Sequence, residues 1–273
     1  MRLLQLSYEE HNRVQMLELK ILEELDRICV KHDIRYSIAY GSLIGAIRHN
    51  GFIPWDDDID VCMPRADYIR FKQICEKELG KDFFYQSNDT DKEYFYLFDK
   101  IRLNNTVFRE SFVSKYDIHH GIYIDIFPID NIPDERWKKS LQFYLFHFCR
   151  TGVQSKYLMP GARSGKKRVA ATILRLLYAP FPLRWLYKRA HQVATRYNSE
   201  NCKKAGCFFS PYKKRDIFPI EMFKRYERHQ FVNIQVNVVK EWDLMLTRLY
   251  GDYCQLPPEE KRKTVHTVTE LKL

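Results

Sequence analysis

The stretch GFIPWDDDIDV, residues 51–61, decides the fold, because it sets four aspartates within five positions behind a tryptophan. Side chains of a β-strand point alternately to the two faces of its sheet. If residues 56–62 are extended, three acidic side chains share one face: Asp56, Asp58 and Asp60. The other face then carries one acidic and two apolar side chains: Asp57, Ile59 and Val61. The pattern predicts a half-buried strand that presents a row of carboxylates on one side.

These carboxylates need a partner of opposite charge. Like charges in a partly buried place raise one another's pKa and destabilise the fold. Asp58 and Asp60 would lie about 7 Å apart along a strand, and Mg²⁺ binds one or two carboxylates together with water and substrate phosphates. We therefore predict that Asp58 and Asp60 bind Mg²⁺ (or Mn²⁺), with Asp56 and Asp57 as second choices. The alternative is an acidic turn in solvent, and the alternation with apolar residues argues against it.

A third carboxylate of the same kind lies in GIYIDIFPID, residues 121–130. Three isoleucines alternate there with other side chains, so Asp125 is a lone charge in the middle of an apolar strand. Such a residue is rarely left unpaired. We predict that Asp125 completes the metal site, and a core aspartate satisfied by hydrogen bonds or an arginine is the alternative. Asp130, which follows Pro128, is predicted to be a surface turn residue.

Upstream of the acidic stretch, Gly41 and Ser42 break a short predicted strand and precede a short helix. Such a turn offers free backbone N–H groups and a hydroxyl, which suit a phosphate. Gly41 and Ser42 are therefore predicted to bind substrate phosphate. Arg48 and Lys100 are further candidates for phosphate contact, and for each the alternative is a solvated surface charge.

The remaining pattern predicts a mixed α+β core up to about residue 133 and a helical, basic remainder over 134–273. Ser7 and Glu10 form a capping-box pattern before an amphipathic helix at about 8–32. Further strands are predicted at 35–40, 57–63, 95–103, 106–110 and 121–129. Further helices are predicted at 42–50, 67–79, 135–150, 167–178, 184–198 and 236–250.

The chain has 273 residues and a net charge of +10, but the charge is uneven. Residues 136–199 contain fourteen lysines and arginines and no acidic residue, so the rest is slightly acidic. This block mixes cations with large apolar residues, which favours either a helix at a membrane interface or a helical region packed on the core. Nucleic-acid binding is not expected, because no familiar nucleic-acid-reading module is present.

The seven cysteines are scattered and odd in number, which predicts reduced thiols and a cytoplasmic protein. A zinc site at Cys202 and Cys207 is not expected, because their spacing is not typical of zinc ligands. The N-terminal sequence lacks the apolar region of a signal peptide, and no uncharged apolar stretch of about 20 residues is present. Peripheral attachment to the inner face of the membrane is compatible with these features.

Taken together, the motifs resemble the LicD family of phosphotransferases within the nucleotidyltransferase-fold superfamily, to which fukutin-like proteins are related. The resemblance rests on Gly41-Ser42, on FIPWDDDIDV and on four further stretches: MPRADYIRF (63–71), KIRLNNT (100–106), GIYIDIFPID (121–130) and LYGDYCQLPPEEKR (249–262). It implies a nucleotidyltransferase-like mixed sheet with flanking helices. The basic block at 136–199 is poorly matched, so no role carries over to it.

The resemblance implies transfer of a phospho-alcohol from a CDP-alcohol to a hydroxyl of a cell-surface glycan or glycolipid, with release of CMP. Phosphocholine from CDP-choline is the first expectation, and lipopolysaccharide, teichoic acid or capsule would be the acceptor. Asp58 and Asp60 would ligate the metal that bridges the diphosphate. Asp125 would share a second ion or take the proton from the acceptor hydroxyl.

A choline headgroup is bound by aromatic faces through cation–π attraction. Trp55 is predicted as the first choice for such a face, because it adjoins the acidic stretch. Other aromatic residues complete the pool of candidates: Tyr40, Phe52, Tyr94, Phe95, Tyr96 and Tyr123.

Three alternatives stay open from the sequence. CDP-ribitol or CDP-glycerol could be the donor, with the same released CMP. A true nucleotidyltransferase would release pyrophosphate instead, so product identity separates the two. A non-catalytic adaptor at the membrane surface would need no metal and would tolerate loss of Asp58.

Overall fold

A computed structural model describes residues 3–157, 165–264 and 266–273. The strands are β1 Ser37–Ile38, β2 Asp60–Pro64, β3 Phe83–Gln86, β4 Asp99–Leu103, β5 Val107–Glu110, β6 Tyr123–Ile132, β7 Lys204–Gly206, β8 Ile217–Pro219, β9 Tyr226–Phe231, β10 Ile234–Val239 and β11 Val268–Lys272. The helices are α1 Tyr8–Lys31, α2 Tyr40–His49, α3 Arg65–Glu78, α4 Arg136–Tyr157, α5 Gly165–Leu177, α6 Leu183–Thr195 and α7 Trp242–Tyr250.

The long strand β6 is the centre of a seven-stranded mixed sheet. Five strands follow the order β1-β2-β6-β4-β3, and β7 pairs with the second half of β6 and with β8. The β2–β6 pair is parallel, and the other pairs of this sheet are antiparallel. Two further pairs, β9–β10 and β5–β11, lie outside this sheet. The predicted α+β class with a mixed sheet is confirmed.

Helix α1 begins where the sequence predicts it. The Glu10 carboxylate accepts from the Ser7 N–H at 2.8 Å, and the Ser7 hydroxyl accepts from the Glu10 N–H at 3.2 Å. This reciprocal capping box satisfies two N–H groups that the first turn leaves open. The apolar stripe of the helix is fully buried at four positions: Val14, Ile21, Leu25 and Ile28. The helix thus covers one side of the sheet through its periodic apolar face.

The second half of the chain is less helical than predicted. Helices α4, α5 and α6 confirm three predicted helices, whereas the predicted helix at 236–250 is wrong over its first residues. Residues 234–239 form β10, because Val236 and Val238 alternate with polar residues and are buried. Since β7 pairs with β6, residues from both predicted regions contribute to one sheet and one hydrophobic core.

The basic block divides into helices of two kinds. Helix α6 buries its apolar stripe, which includes Leu186, Ala190 and Val193. Helix α5 buries only Ala171 among its described residues. Residues 158–164, which include Arg163 from the fourteen basic residues of the block, lie outside the described residues. No helix in the described part of the chain combines the length and hydropathy that a membrane crossing requires.

Candidate active site

A cleft of about 980 Å³ lies beside the sheet at the level of the acidic stretch. One part of its wall is acidic and is formed by four carboxylates: Asp56, Asp58, Asp60 and Asp125. The rest is dominated by aromatic side chains: Tyr40, Phe95, Tyr96, Phe98, Phe112, Phe127, Tyr157, Phe209, Tyr212 and Tyr250. The cleft therefore offers charged and apolar surfaces to one ligand.

Strand register brings the distant charges of this wall together. Asp60 on β2 lies opposite Asp125 on β6, and Asp125 lies opposite Lys100 on β4. Residues opposite one another in a sheet share a face, so the three side chains form one row across three strands. The Lys100 ammonium pairs with Asp125 and is only 2% exposed. The alternative of a solvated surface charge is therefore wrong for Lys100.

Lys100 is enclosed by aromatic rings as well as by carboxylates. Its ammonium lies 3.5 Å from the ring centroid of Tyr123 and 5.0 Å from that of Tyr96. The ion pair with Asp125 and the contacts with these rings hold the ammonium in place. The row thus contains a fixed positive charge beside the acidic wall of the cleft.

The start of α2 shapes the opposite edge of the acidic wall. Tyr40 has a left-handed backbone with φ of 51°, and Gly41 follows it. A Cβ atom on Gly41 would lie 2.7 Å from Asp56 Oδ2, so only glycine leaves room for this carboxylate. The Ser42 hydroxyl accepts from the Asp60 N–H at 2.9 Å. Gly41 lines the cleft, whereas buried Ser42 holds the first residue of β2.

We expect Gly41→Ala to lower kcat/KM by about 10- to 100-fold, because displacement of the Asp56 carboxylate by about 1 Å disturbs the geometry of the site. Steady-state kinetics with circular dichroism melting would measure this. Gly251→Ala is the control, since its Cβ would meet nothing within 4 Å and its φ of 78° costs only stability. An unchanged kcat/KM for Gly41→Ala would contradict the role given to this glycine.

The four carboxylates of the cleft are strongly destabilised in their charged forms. Burial raises the pKa of Asp58 to about 6, and the charge of Asp125 adds to the effect while His266 opposes it. Burial and the charge of Asp58 raise the pKa of Asp56 and of Asp60 well above the usual range. Burial also raises the pKa of Asp125, although Lys100 opposes the shift.

Sequence reasoning missed a histidine that contacts this cluster. His266 precedes β11, and its Nδ1 lies 3.1 Å from Asp57 Oδ1. Its Nε2 lies 3.9 Å from Asp58 Oδ2 and 3.7 Å from Glu110 Oε1 on β5. Burial opposes protonation, but the bond to Asp57 and the charges of Asp58 and Glu110 raise the pKa of His266 to about 9. The pairing of β5 with β11 brings His266 to the cluster, and no local sequence motif marks its segment.

Helix α1 adds a polar contact that was also missed. Gln15 Nε2 donates to the Asp56 carbonyl oxygen at 2.9 Å and so fixes the backbone of the acidic stretch at this residue. Glu18, one turn further, is 2% exposed, and its Oε2 has no hydrogen-bond partner within the described residues. Burial and the charges of Asp58 and Asp57 raise the pKa of Glu18 well above its usual value. The available signal was a glutamine and a glutamate, Gln15 and Glu18, on the apolar face of α1.

The residues present fit a divalent cation. Asp56, Asp57 and Asp58 offer carboxylate oxygens that lie within 4.8 Å of one another. The buried Oε2 atoms of Glu18 and Glu110 have no hydrogen-bond partner in the described part of the chain. Hard oxygen donors in excess over the nearby cations match the preference of Mg²⁺. This group of three shares Asp58 with the predicted metal ligands, and its other two members are the second choices, Asp56 and Asp57.

Comparisons with known proteins identify the family. A family model described as LicD/FKTN/FKRP, nucleotidyltransferase domain, matches residues 33–163. The chain is 30% identical to the lipopolysaccharide cholinephosphotransferase LicD of Haemophilus influenzae over 262 residues, which cover 92% of this chain and 94% of that protein. The chain belongs to the LicD family. This LicD-family chain is accordingly a phosphotransferase, which sets aside the non-catalytic adaptor.

Two shorter similarities involve uncharacterized proteins of Rickettsia. The chain is 40% identical to one from Rickettsia typhi over 63 residues, which cover 22% of this chain and 20% of that protein. It is 28% identical to one from Rickettsia prowazekii over 114 residues, covering 38% and 43% of the two chains. The family match includes the row of Asp60, Lys100 and Asp125, whereas Glu18 and His266 lie outside it.

Two predicted substrate contacts of this LicD-family chain lie away from the cleft lining. Arg48 Nη1 donates to the Tyr253 carbonyl oxygen at 2.7 Å, so Arg48 is part of the packing of α2. Trp55 is partly buried against the core, and the Arg262 guanidinium lies 5.7 Å from its ring centroid. Among the other aromatic candidates, three line the cleft: Tyr40, Phe95 and Tyr96.

Asp130 is not the surface turn residue that was predicted. It is 1% exposed and lies within β6. Its two carboxylate oxygens accept from Arg65 at 2.8 and 2.6 Å. The prediction was wrong because the strand continues through Pro128, and because the cation that allows burial lies far away in the sequence.

The Tyr40 hydroxyl donates a hydrogen bond of 2.7 Å to the buried carboxylate of Asp216. Burial raises the pKa of Asp216 to about 6, although hydrogen bonds from Ser210 and Tyr40 oppose the shift. The folded protein therefore binds this proton more tightly than the unfolded chain. The resulting stability is present at low pH and is lost as the pH rises through about 6.

We expect Asp216→Asn to gain stability relative to the wild type by roughly 2–3 kcal/mol as the pH rises from about 4 to above 6. Asparagine keeps an acceptor for Tyr40 without the buried charge. Urea unfolding across this pH range would measure the difference, with exposed Asp89→Asn as the control. A difference that stays constant with pH would contradict the prediction.

Proposed function

We propose that this LicD-family phosphotransferase transfers phosphocholine from CDP-choline to a hydroxyl of lipopolysaccharide or a related cell-surface glycan and releases CMP. The observation that supports it best is the cleft, which joins three half-buried carboxylates and the buried Asp125 to an aromatic wall. The similarity over nearly the whole length to the Haemophilus lipopolysaccharide cholinephosphotransferase supports the choice of phosphocholine as the transferred group and lipopolysaccharide as the acceptor.

In this proposal the acidic wall receives the diphosphate of the donor through Mg²⁺ or Mn²⁺. Asp58 and Asp60, with Asp56 nearby, would hold the metal, which would neutralise the phosphate charge and orient the leaving group. Asp125 would share a second ion or take the proton of the acceptor hydroxyl. The Lys100 ammonium, fixed beside Asp125, limits the net negative charge that the donor meets. The high electrostatic cost of four neighbouring carboxylates in one wall is the reason to expect a cation there.

The reaction breaks the phosphoanhydride bond of the donor and forms a phosphodiester bond to the acceptor. The acceptor hydroxyl oxygen forms a bond to the phosphorus that bears choline, and the bond from that phosphorus to the oxygen of CMP breaks. The hydroxyl proton passes to a carboxylate, for which Asp125 is the candidate, because a raised pKa makes a carboxylate a better base. The choline ammonium would lie against the aromatic wall, where the candidates Tyr40, Phe95 and Tyr96 line the cleft.

Product analysis tests the proposal directly. The purified protein would be incubated with CDP-choline and lipopolysaccharide, with Mg²⁺ or with EDTA, and the nucleotide product would be identified by chromatography. We expect CMP to form only with metal and acceptor together. CDP-ribitol and CDP-glycerol in parallel reactions would test the alternative donors.

Each outcome separates the competing functions. Release of pyrophosphate from a nucleoside triphosphate would favour the nucleotidyltransferase alternative. Faster turnover of CDP-ribitol or CDP-glycerol would identify that compound as the donor instead of CDP-choline, and the reaction class would stay the same. Equal activity in EDTA would show that the carboxylates do not act through a metal.

A further inference from the structure

Helix α5 presents its apolar side to solvent. Four large apolar residues of this helix are between 51% and 68% exposed: Val169, Ile173, Leu176 and Leu177. They follow the spacing of one helix face, and buried Ala171 lies on the opposite face. In α6 the apolar stripe is buried, so the two helices of the basic block behave in opposite ways. A solvent-facing apolar stripe of this kind usually has a partner.

Positive charge surrounds this stripe. Helix α5 carries four cations and no acidic residue: Lys166, Lys167, Arg168 and Arg175. Within the described residues, none of the lysines or arginines of α5 and α6 forms a salt bridge. Beyond the end of α5, Trp185 is 41% exposed and stacks on Phe181 at 5.3 Å. Indole rings at such positions favour the boundary between lipid and water.

We propose that the exposed face of α5 docks on the surface of an anionic lipid bilayer. Apolar burial at the acyl boundary and attraction of the flanking cations to anionic headgroups act together there. A second copy of the chain is a poorer partner, because a two-fold contact would bring the same basic surface against itself. The inference does not depend on the identity of the donor or acceptor, since none of these residues lines the cleft.

Vesicle co-sedimentation of the full chain tests the apolar part of the proposal. We expect binding to vesicles of phosphatidylglycerol and phosphatidylethanolamine, and at least about 10-fold weaker binding to phosphatidylcholine alone. Val169→Ser/Ile173→Ser/Leu176→Ser is expected to weaken anionic binding by about 10-fold or more. The matched control, Met16→Ser/Val30→Ser/Ile69→Ser, replaces equally exposed apolar residues on α1 and α3 and should bind as the wild type does.

Charge variants test the electrostatic part. Lys167→Gln/Arg168→Gln/Arg175→Gln is expected to lose about 100-fold in binding to anionic vesicles, and added salt should weaken wild-type binding. The control Lys77→Gln/Lys92→Gln/Lys240→Gln removes as many exposed cations elsewhere and should change little. Melting curves would verify that each variant is folded.

Three results would overturn the proposal. The wild type could fail to bind anionic vesicles, or the α5 variants and their controls could lose binding equally. Sedimentation velocity could instead reveal a dimer that the α5 apolar variant dissociates, which would make a second copy the occupant of this face.

Discussion

Asp60→Asn is expected to lower kcat/KM by about 1,000-fold or more, because in the proposed mechanism it removes one of the carboxylates that would hold the metal, and with it several kcal/mol of charge stabilisation in the transition state. The same change should raise the melting temperature of the metal-free protein at pH 8. Burial and the charge of Asp58 raise the pKa of Asp60, so its ionisation weakens the fold once the pH exceeds the usual range of aspartate. Lost activity together with gained stability would mark Asp60 as a functional residue.

Steady-state kinetics and thermal melting with and without Mg²⁺ would measure both effects. We expect Mg²⁺ to raise the melting temperature of the wild type and to have a smaller effect on Asp60→Asn, since binding to the folded state stabilises it. Asp89→Asn is the control, because Asp89 is exposed and pairs with Lys72 at the surface. Full activity in Asp60→Asn, or an unchanged response to Mg²⁺, would remove Asp60 from the metal site.

Arg65→Met is expected to lower the free energy of unfolding by about 3–5 kcal/mol, because it leaves the buried Asp130 carboxylate without its cation. Both oxygens of Asp130 accept from the guanidinium, and Asn198 Nδ2 adds a third bond at 2.7 Å. The rings of Tyr68 and Phe209 lie 5.2 and 5.5 Å from the guanidinium carbon and enclose the pair. Methionine preserves much of the packing volume, so the loss reports mainly on charge.

Urea unfolding would measure this loss. The double variant Arg65→Met/Asp130→Leu should recover most of it, since replacing both members of a buried pair avoids an unpaired charge. Arg70→Met is the control, because Arg70 is largely exposed and surface pairs contribute about 0–1 kcal/mol. A cost for Arg65→Met below that of Arg70→Met would show that the pair does not support the fold.

Local patterns in the sequence predicted the elements that carry the acidic wall. Alternation around Asp125 predicted β6, and Gly41 was predicted to lie at the site. The strand predicted at 57–63 is confirmed only from Asp60 onward, because residues 56–59 precede β2 and belong to no strand. Register then decides which charges meet, and register depends on the whole sheet. For this reason the sequence left Lys100 as either a phosphate contact or a solvated surface charge, and it did not predict the position opposite Asp125 in the middle of the sheet.

Contacts between distant segments explain what sequence reasoning missed. His266 lies 209 positions after Asp57, and no spacing rule connects them. Trp55 adjoins the acidic stretch in sequence, but its ring turns toward Arg262 and the core. The strand β10 was mistaken for part of a helix, because its apolar residues continue into the helical pattern of α7.

The central strand gives the two parts of the cleft different dynamics. The Asp125 amide donates to Ile59 at 2.8 Å, and β6 has neighbours on both sides, so this amide should exchange its hydrogen only when the whole protein unfolds. Residues 94–98 belong to no strand, and side chains such as Asn88 hold their carbonyls, so their amides should exchange faster. Evolution could therefore remodel the aromatic wall for a new headgroup while the phosphoryl-transfer geometry stays unchanged.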